Sequence, residues 1–210
     1  MKGCQRGIAI GPILFVIALL AVLASAVAAG SGSFTASTSS ETAKAKASAL
    51  IEIGQNLKMG FDRLMASGIA YGDVVINKYH TTEEDSLFSP MGGGIALPSE
   101  SMGKSGAGWR YPYALMNSLG NYCPKRIAVI QVENATICSQ LNDSLGNGTT
   151  PDAANVADPG TACIGIPGSL AQKMAGCYES STQGSSGFYF YQVLGIDPGE
   201  PSCAMNICPD

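Results

Sequence analysis

The chain has 210 residues, of which 46% are hydrophobic and only 13% charged, with a formal net charge of −4. That balance excludes the basic surface that nucleic-acid binding requires. The shortage of charge is also unlike a freely soluble cytosolic enzyme and suits a protein that packs against copies of itself.

The chain opens with MKGCQRG, and residues 8–29, IAIGPILFVIALLAVLASAVAA, follow without a charge. About 20 apolar residues suffice to cross a bilayer as a helix. Lys2 and Arg6 precede the segment and the next cation is Lys44, so the excess of positive charge places the N-terminus in the cytoplasm and the remainder outside. Three readings fit. Ala24-Ser25-Ala26 and Ala26-Val27-Ala28 suit a signal peptidase, although the apolar run is longer than a usual signal core. An uncleaved anchor is the second reading, and a leader cut on the cytoplasmic side is the third.

The residues from Lys2 to Pro12 carry the third reading. A short basic leader ends in Arg6-Gly7, and an apolar helix begins at once with Ile8. This resembles the class III leader of type IV pilins and of the pseudopilins of type II secretion. The resemblance implies cleavage after Gly7 by a prepilin peptidase and N-methylation of Ile8. It implies a leader at 1–7, a transmembrane and assembly helix at 8–29, and an exported head. Other copies of the chain or related pilin subunits would be its partners. The family usually has a glutamate at the fifth mature position, where this chain has Pro12; some minor pseudopilins also lack it. Pro12 falls in the first helical turn, where its missing N–H costs little.

Residues 30–40, GSGSFTASTSS, read as a flexible joint by composition. Thr38-x-x-Glu41 then reads as a capping box, opening a helix over 41–68. Ala43, Ala47, Leu50, Ile51, Gly54, Leu57, Phe61, Leu64, Met65 and Gly68 recur in steps of three and four, which makes one apolar stripe. The expected use of that stripe is packing on the head's own sheet, a filament interface being the alternative. Gly68 is placed to end the helix.

Residues 73–77 suggest a short strand. Residues 81–98 form a loop, acidic at Glu83-Glu84-Asp85 and glycine-rich at Gly92-Gly93-Gly94. The acidic run lacks an EF-hand-like ligand spacing and reads as solvated. Gly103-Lys104-Ser105 is no phosphate loop, because the first glycine that motif needs is Pro98. Trp109, Tyr111, Tyr113 and Tyr122 are expected to cover the core. Residues 126–132, RIAVIQV, and 188–194, FYFYQVL, read as strands too weakly alternating to be half-exposed. Residues 134–145 read as a short helix carrying Cys138, Leu141 and Leu145. Three Asn-x-Ser/Thr triplets, at Asn134, Asn142 and Asn147, are incidental beside a bacterial-type leader.

Cleavage after Gly7 removes Cys4 and leaves Cys123, Cys138, Cys163, Cys177, Cys203 and Cys208. An even number in an exported head reads as a disulfide framework with 15 possible connectivities. Short spacings suggest a Cys123–Cys138 hairpin link and a Cys203–Cys208 clip on the Pro-rich tail. A single histidine and the lack of C-x-x-C argue against a metal site. His80 reads as a loop residue rather than a general base, no serine sits in a G-x-S-x-G elbow, and neither an enzyme nor a cofactor is expected.

The expected fold is α+β: a long N-terminal helix, membrane-spanning and then amphipathic, packed on a small antiparallel sheet with disulfide-stapled loops, the head covering 41–210. The expected function is a structural pilin-like or pseudopilin-like subunit. It would be held in the bacterial inner membrane with its head in the periplasm, and be extracellular once assembled. The alternative is a single-pass anchored or secreted binding module that does not polymerise.

Overall fold

The computed structural model describes residues 10–118, 121–154, 163–166, 170, 173–181 and 186–196, with the side chains of 10–14, 22–38, 113–124, 152–154 and 163–165 outside that description. Gly7, Ile8, Cys203 and Cys208 lie outside the described residues, as do the side chains of Cys123 and Cys163. The chain divides into two compact units, residues 1–42 and 43–210.

The described backbone of the first unit belongs to helix α1 (Ile10–Ala66). Residues 30–40 differ from the flexible joint expected there: they are helical throughout, and Thr38 is an interior helical position rather than an N-cap. Glycine and serine weaken a helix by at most about 1 kcal/mol each. Only proline removes a rung of the hydrogen-bond ladder, and 30–40 contains none. Pro12 lies in the first described turn of α1. No helix among the described residues is long and apolar enough to cross a membrane; within 8–29 only the side chains of 15–21 are described, and they are exposed.

In the second unit α1 supplies the predicted stripe. Ala43, Ala47, Leu50, Leu57, Phe61 and Leu64 are all buried, and burying a leucine or phenylalanine contributes about 1.5–3 kcal/mol. The helix ends at the expected glycine. Gly68 has φ 94°, its N–H donates to Met65 O at 3.1 Å, and Ile69 N–H donates to Leu64 O at 3.2 Å. That pair of bonds is a Schellman cap, with Ile69 folded back onto the cluster that holds Leu64.

The stripe packs on a six-stranded sheet formed by β1 (Tyr113–Ser118), β2 (Asn121–Val132), β3 (Asp152–Ala154), β4 (Cys163–Gly165), β5 (Ala175–Ser180) and β6 (Gly187–Ile196). Their spatial order is β3-β5-β6-β2-β1-β4. The core of the sheet is antiparallel as expected, β1 with β2, β2 with β6 and β6 with β5. The three-residue strands β3 and β4 add parallel edges. The two apolar segments without clear alternation are the central neighbours β2 and β6, and both of their faces are covered. Ile130, Val132 and Phe190 meet α1 and α2 (Ala135–Ser144). Ala128 and Leu194 meet Leu57, Phe61 and Leu64. Ile127, Val129, Tyr189, Tyr191 and Val193 pack on the opposite face with Tyr178, Ile166 and Leu170.

The strand expected at 73–77 does not form. A one-turn 3-10 helix, Tyr71–Asp73, occupies its start, and Val75 makes a single parallel bridge to Ser86. The glycine-rich loop is then held against this bridge. A Cβ on Gly92 would collide with the Ser86 and Glu84 carbonyls, and one on Gly93 would collide with the backbone of Leu87.

Cys138 pairs with Cys177 at a Cα–Cα distance of 5.3 Å, closing a separation of 39 residues and joining α2 to β5. The expected Cys123–Cys138 link is therefore wrong. From Cys123 the chain runs extended along β2 to Val132, about 30 Å at the rise of a strand, whereas a disulfide requires Cα atoms within about 7 Å.

Candidate functional site

The polar groups of the head assemble in two places. The first is the edge of β5 around the disulfide. Asn142 is 1% exposed. Its Nδ2 donates to Cys177 O at 2.7 Å, and Cys177 N–H donates to its Oδ1 at 2.8 Å. The side chain thus acts as a one-residue strand along that edge. Asn147 Nδ2 donates to Ala175 O at 2.9 Å, two residues earlier on the same strand. Asn134 caps α2, its side chain accepting from Ile137 N–H at 3.0 Å. All three asparagines of the Asn-x-Ser/Thr triplets are thus consumed by the fold.

The second place is a cleft of about 290 Å³ beside Leu97 and Pro98. Three separate segments build it. Asn77 turns the chain by accepting from Tyr79 N–H at 3.0 Å, presenting Lys78 and Tyr79. The one-turn helix Glu100–Met102, capped by Ser99, presents Glu100. The extended run through Arg110, which bridges to Val129 of β2, presents Trp109 and Tyr111. Lys78 Nζ lies 3.4 Å from Glu100 Oε1 and 5.6 Å from the centroid of the Tyr79 ring. Trp109 is anchored edge-on against Phe190 at 6.3 Å, and Tyr111 is tilted against Phe88 at 5.8 Å. Burial, with the Glu100 carboxylate adding to it, pushes the Tyr111 hydroxyl above the ordinary tyrosine range. A second cleft, about 320 Å³, shares Leu97 and Pro98 and runs between this loop and Ile53, Asn56 and Leu57 of α1.

The other sequence candidates are dispersed. His80 Nδ1 meets Glu83 Oε2 at 2.5 Å on the exposed loop, and the Ser86 hydroxyl donates to the His80 carbonyl. Glu83, Glu84 and Asp85 belong to the turn that bridges to Val75. Among the described residues no cluster of histidine, cysteine and carboxylate side chains is arranged to hold a metal ion. Trp109 and Tyr111 do pack on the core, as expected, while each also faces the cleft. Lys78, Tyr79 and Glu100 carry no sequence signal, being ordinary polar-loop residues until three segments converge.

In the first unit, the side chains of α1 at residues 15–21 are all apolar and exposed. Phe15 is 67% exposed, Leu20 59% and Ile17 56%. Comparison with protein-family models, with curated proteins and with solved structures finds no match in any of the three.

Proposed function

We propose that this chain is a structural subunit of a pilus or pseudopilus, type IV pilin-like or pseudopilin-like, anchored in the inner membrane before assembly. The observation that carries the reading is the build of α1. Its residues 15–21 are apolar and exposed on all sides, a pattern that belongs to a membrane or to a packed bundle of like helices. Its residues 43–66 carry a one-sided stripe buried on the sheet. The helix passes between these parts without interruption through 30–40. Residues 1–9, with the prepilin-like leader, lie outside the described residues.

In this reading the peptidase releases Ile8, the apolar half of α1 holds the subunit in the inner membrane and then packs among its neighbours, and the head forms the outer surface. The test is to shear filaments from intact cells of the native host and probe the sheared fraction for this chain. The proposal expects the protein there, and expects Ile17→Lys to remove it while the head stays folded. Recovery of the wild-type chain only in membranes, or only as a soluble monomer, overturns it. That result would favour an anchored or secreted binding module, the reading to which the aromatic cleft lends weight.

A further inference from the structure

We infer that the cleft formed by Lys78, Tyr79, Pro98, Glu100, Trp109 and Tyr111 is a binding site for a neutral saccharide, one pyranose ring deep. The inference does not depend on whether the chain polymerises, since every one of these residues belongs to the second compact unit.

Three features select the ligand. Tyr79, Trp109 and Tyr111 line the cleft, and Tyr79 is 81% exposed, with the Lys78 ammonium over one face of its ring. Flat aromatic surface of this kind matches the C–H face of a sugar ring, and the polar side chains of Asn77, Lys78 and Glu100 line the same cleft. The charges cancel. Lys78 and Glu100 face each other at 3.4 Å, so an incoming anion meets Glu100 and an incoming cation meets Lys78. An organic cation would also have to displace the Lys78 ammonium that already lies 5.6 Å from the Tyr79 centroid. The polar groups offer both senses of hydrogen bond: the Lys78 ammonium donates, the Glu100 carboxylate accepts, and the Asn77 amide beside them does both. Hydroxyl groups, which donate and accept, use such a set fully. The volume of about 290 Å³ lies at the small end of ligand pockets, which begin at about 300 Å³. The adjoining cleft across Leu97 and Pro98 leaves room for a second sugar unit.

The chain contains a single tryptophan, Trp109, and it lines this cleft, so its fluorescence is the readout. The experiment titrates the full-length chain, in a detergent without a sugar headgroup, with methyl glucoside, methyl galactoside, methyl mannoside and N-acetylglucosamine. Choline chloride and inorganic phosphate serve as charged probes. A saturable change is expected with at least one neutral sugar, at a Kd of about 1 mM or tighter. Tyr79→Ala, a change at an exposed side chain, is expected to weaken that binding by about tenfold or more, on the order of 1.4 kcal/mol. Met91→Ala, at a surface residue outside the cleft, is expected to leave it unchanged. The inference is overturned if no sugar saturates below about 100 mM, if choline or phosphate saturates in their place, or if Tyr79→Ala leaves the sugar response intact. None of these outcomes bears on recovery of the chain in sheared filaments.

Discussion

Asn142 and Cys177 exchange two hydrogen bonds, at 2.7 and 2.8 Å, between a helix side chain and a strand backbone. They do so one helical turn from the disulfide that ties Cys138 to the same strand residue. The carboxamide closes a backbone edge that β3 does not reach, since β3 pairs with β5 only from Tyr178 onward. Leaving a buried backbone group unpaired costs about 1–3 kcal/mol. Asn142→Ala is therefore expected to destabilise the protein by about 2–6 kcal/mol, the sum for two such groups. Asn142→Asp is expected to cost no less, because the second carboxylate oxygen meets the Cys177 carbonyl. Chemical denaturation followed by circular dichroism checks both.

The disulfide itself is checked by peptide mapping without reduction. The expected cross-linked pair contains Cys138 and Cys177, and a Cys123–Cys138 pair would contradict the fold. Replacing both Cys138 and Cys177 by serine is expected to lower stability by about 2–5 kcal/mol.

Gly93 sets a stringent local condition, because a side chain there meets the backbone of Leu87 rather than the flexible end of a neighbour. Gly93→Ala is expected to destabilise by about 1–3 kcal/mol. Gly72→Ala, where a Cβ meets nothing, is expected to stay within about 0.5 kcal/mol of wild type. Thermal melting of the two variants side by side distinguishes them.

Burial pushes the hydroxyls of Tyr111 and Tyr178 above the ordinary tyrosine range. Below the unfolded tyrosine pKa of about 10 both states keep the proton, and the contribution of these groups is fully present. As the pH rises through 10 toward the raised folded values, the unfolded chain releases protons that the folded chain retains. The folded state then binds more protons, and stability falls with pH. Absorbance titration of the phenolates is expected to leave these two tyrosines un-ionised until the protein unfolds. The Tyr178 hydroxyl is buried without a hydrogen-bond partner among the described residues. Tyr178→Phe is thus expected to be neutral or stabilising near pH 7 and to reduce the alkaline loss.

The elements legible in the sequence are those in which local pattern and burial agree. The stripe from Ala43 to Leu64 and the α2 helix around Cys138 and Leu141 follow from apolar spacing, the strands β2 and β6 from short apolar runs, and the Gly68 stop from the glycine itself. The strand β5, AGCYES, was not legible, because its small and polar residues become a strand only by pairing with β6 and by receiving Asn142 at its edge. The partner of Cys138 was hidden for the same reason: sequence proximity favoured Cys123, while the long extended path of β2 removes it. The helical backbone at 30–40 ran against its composition, whose glycines and serines weaken a helix without interrupting it. The aromatic cleft draws on segments near Lys78, Glu100 and Trp109 that share no periodicity, and only their convergence makes a site.

The N-terminal sequence and mass of the mature protein, isolated from its native host, test the central proposal most directly. A pilin-like subunit predicts a chain that begins at N-methylated Ile8, with Cys4 removed and the apolar half of α1 retained. A chain that begins after Ala26 or Ala28, or one that still carries Met1, contradicts it.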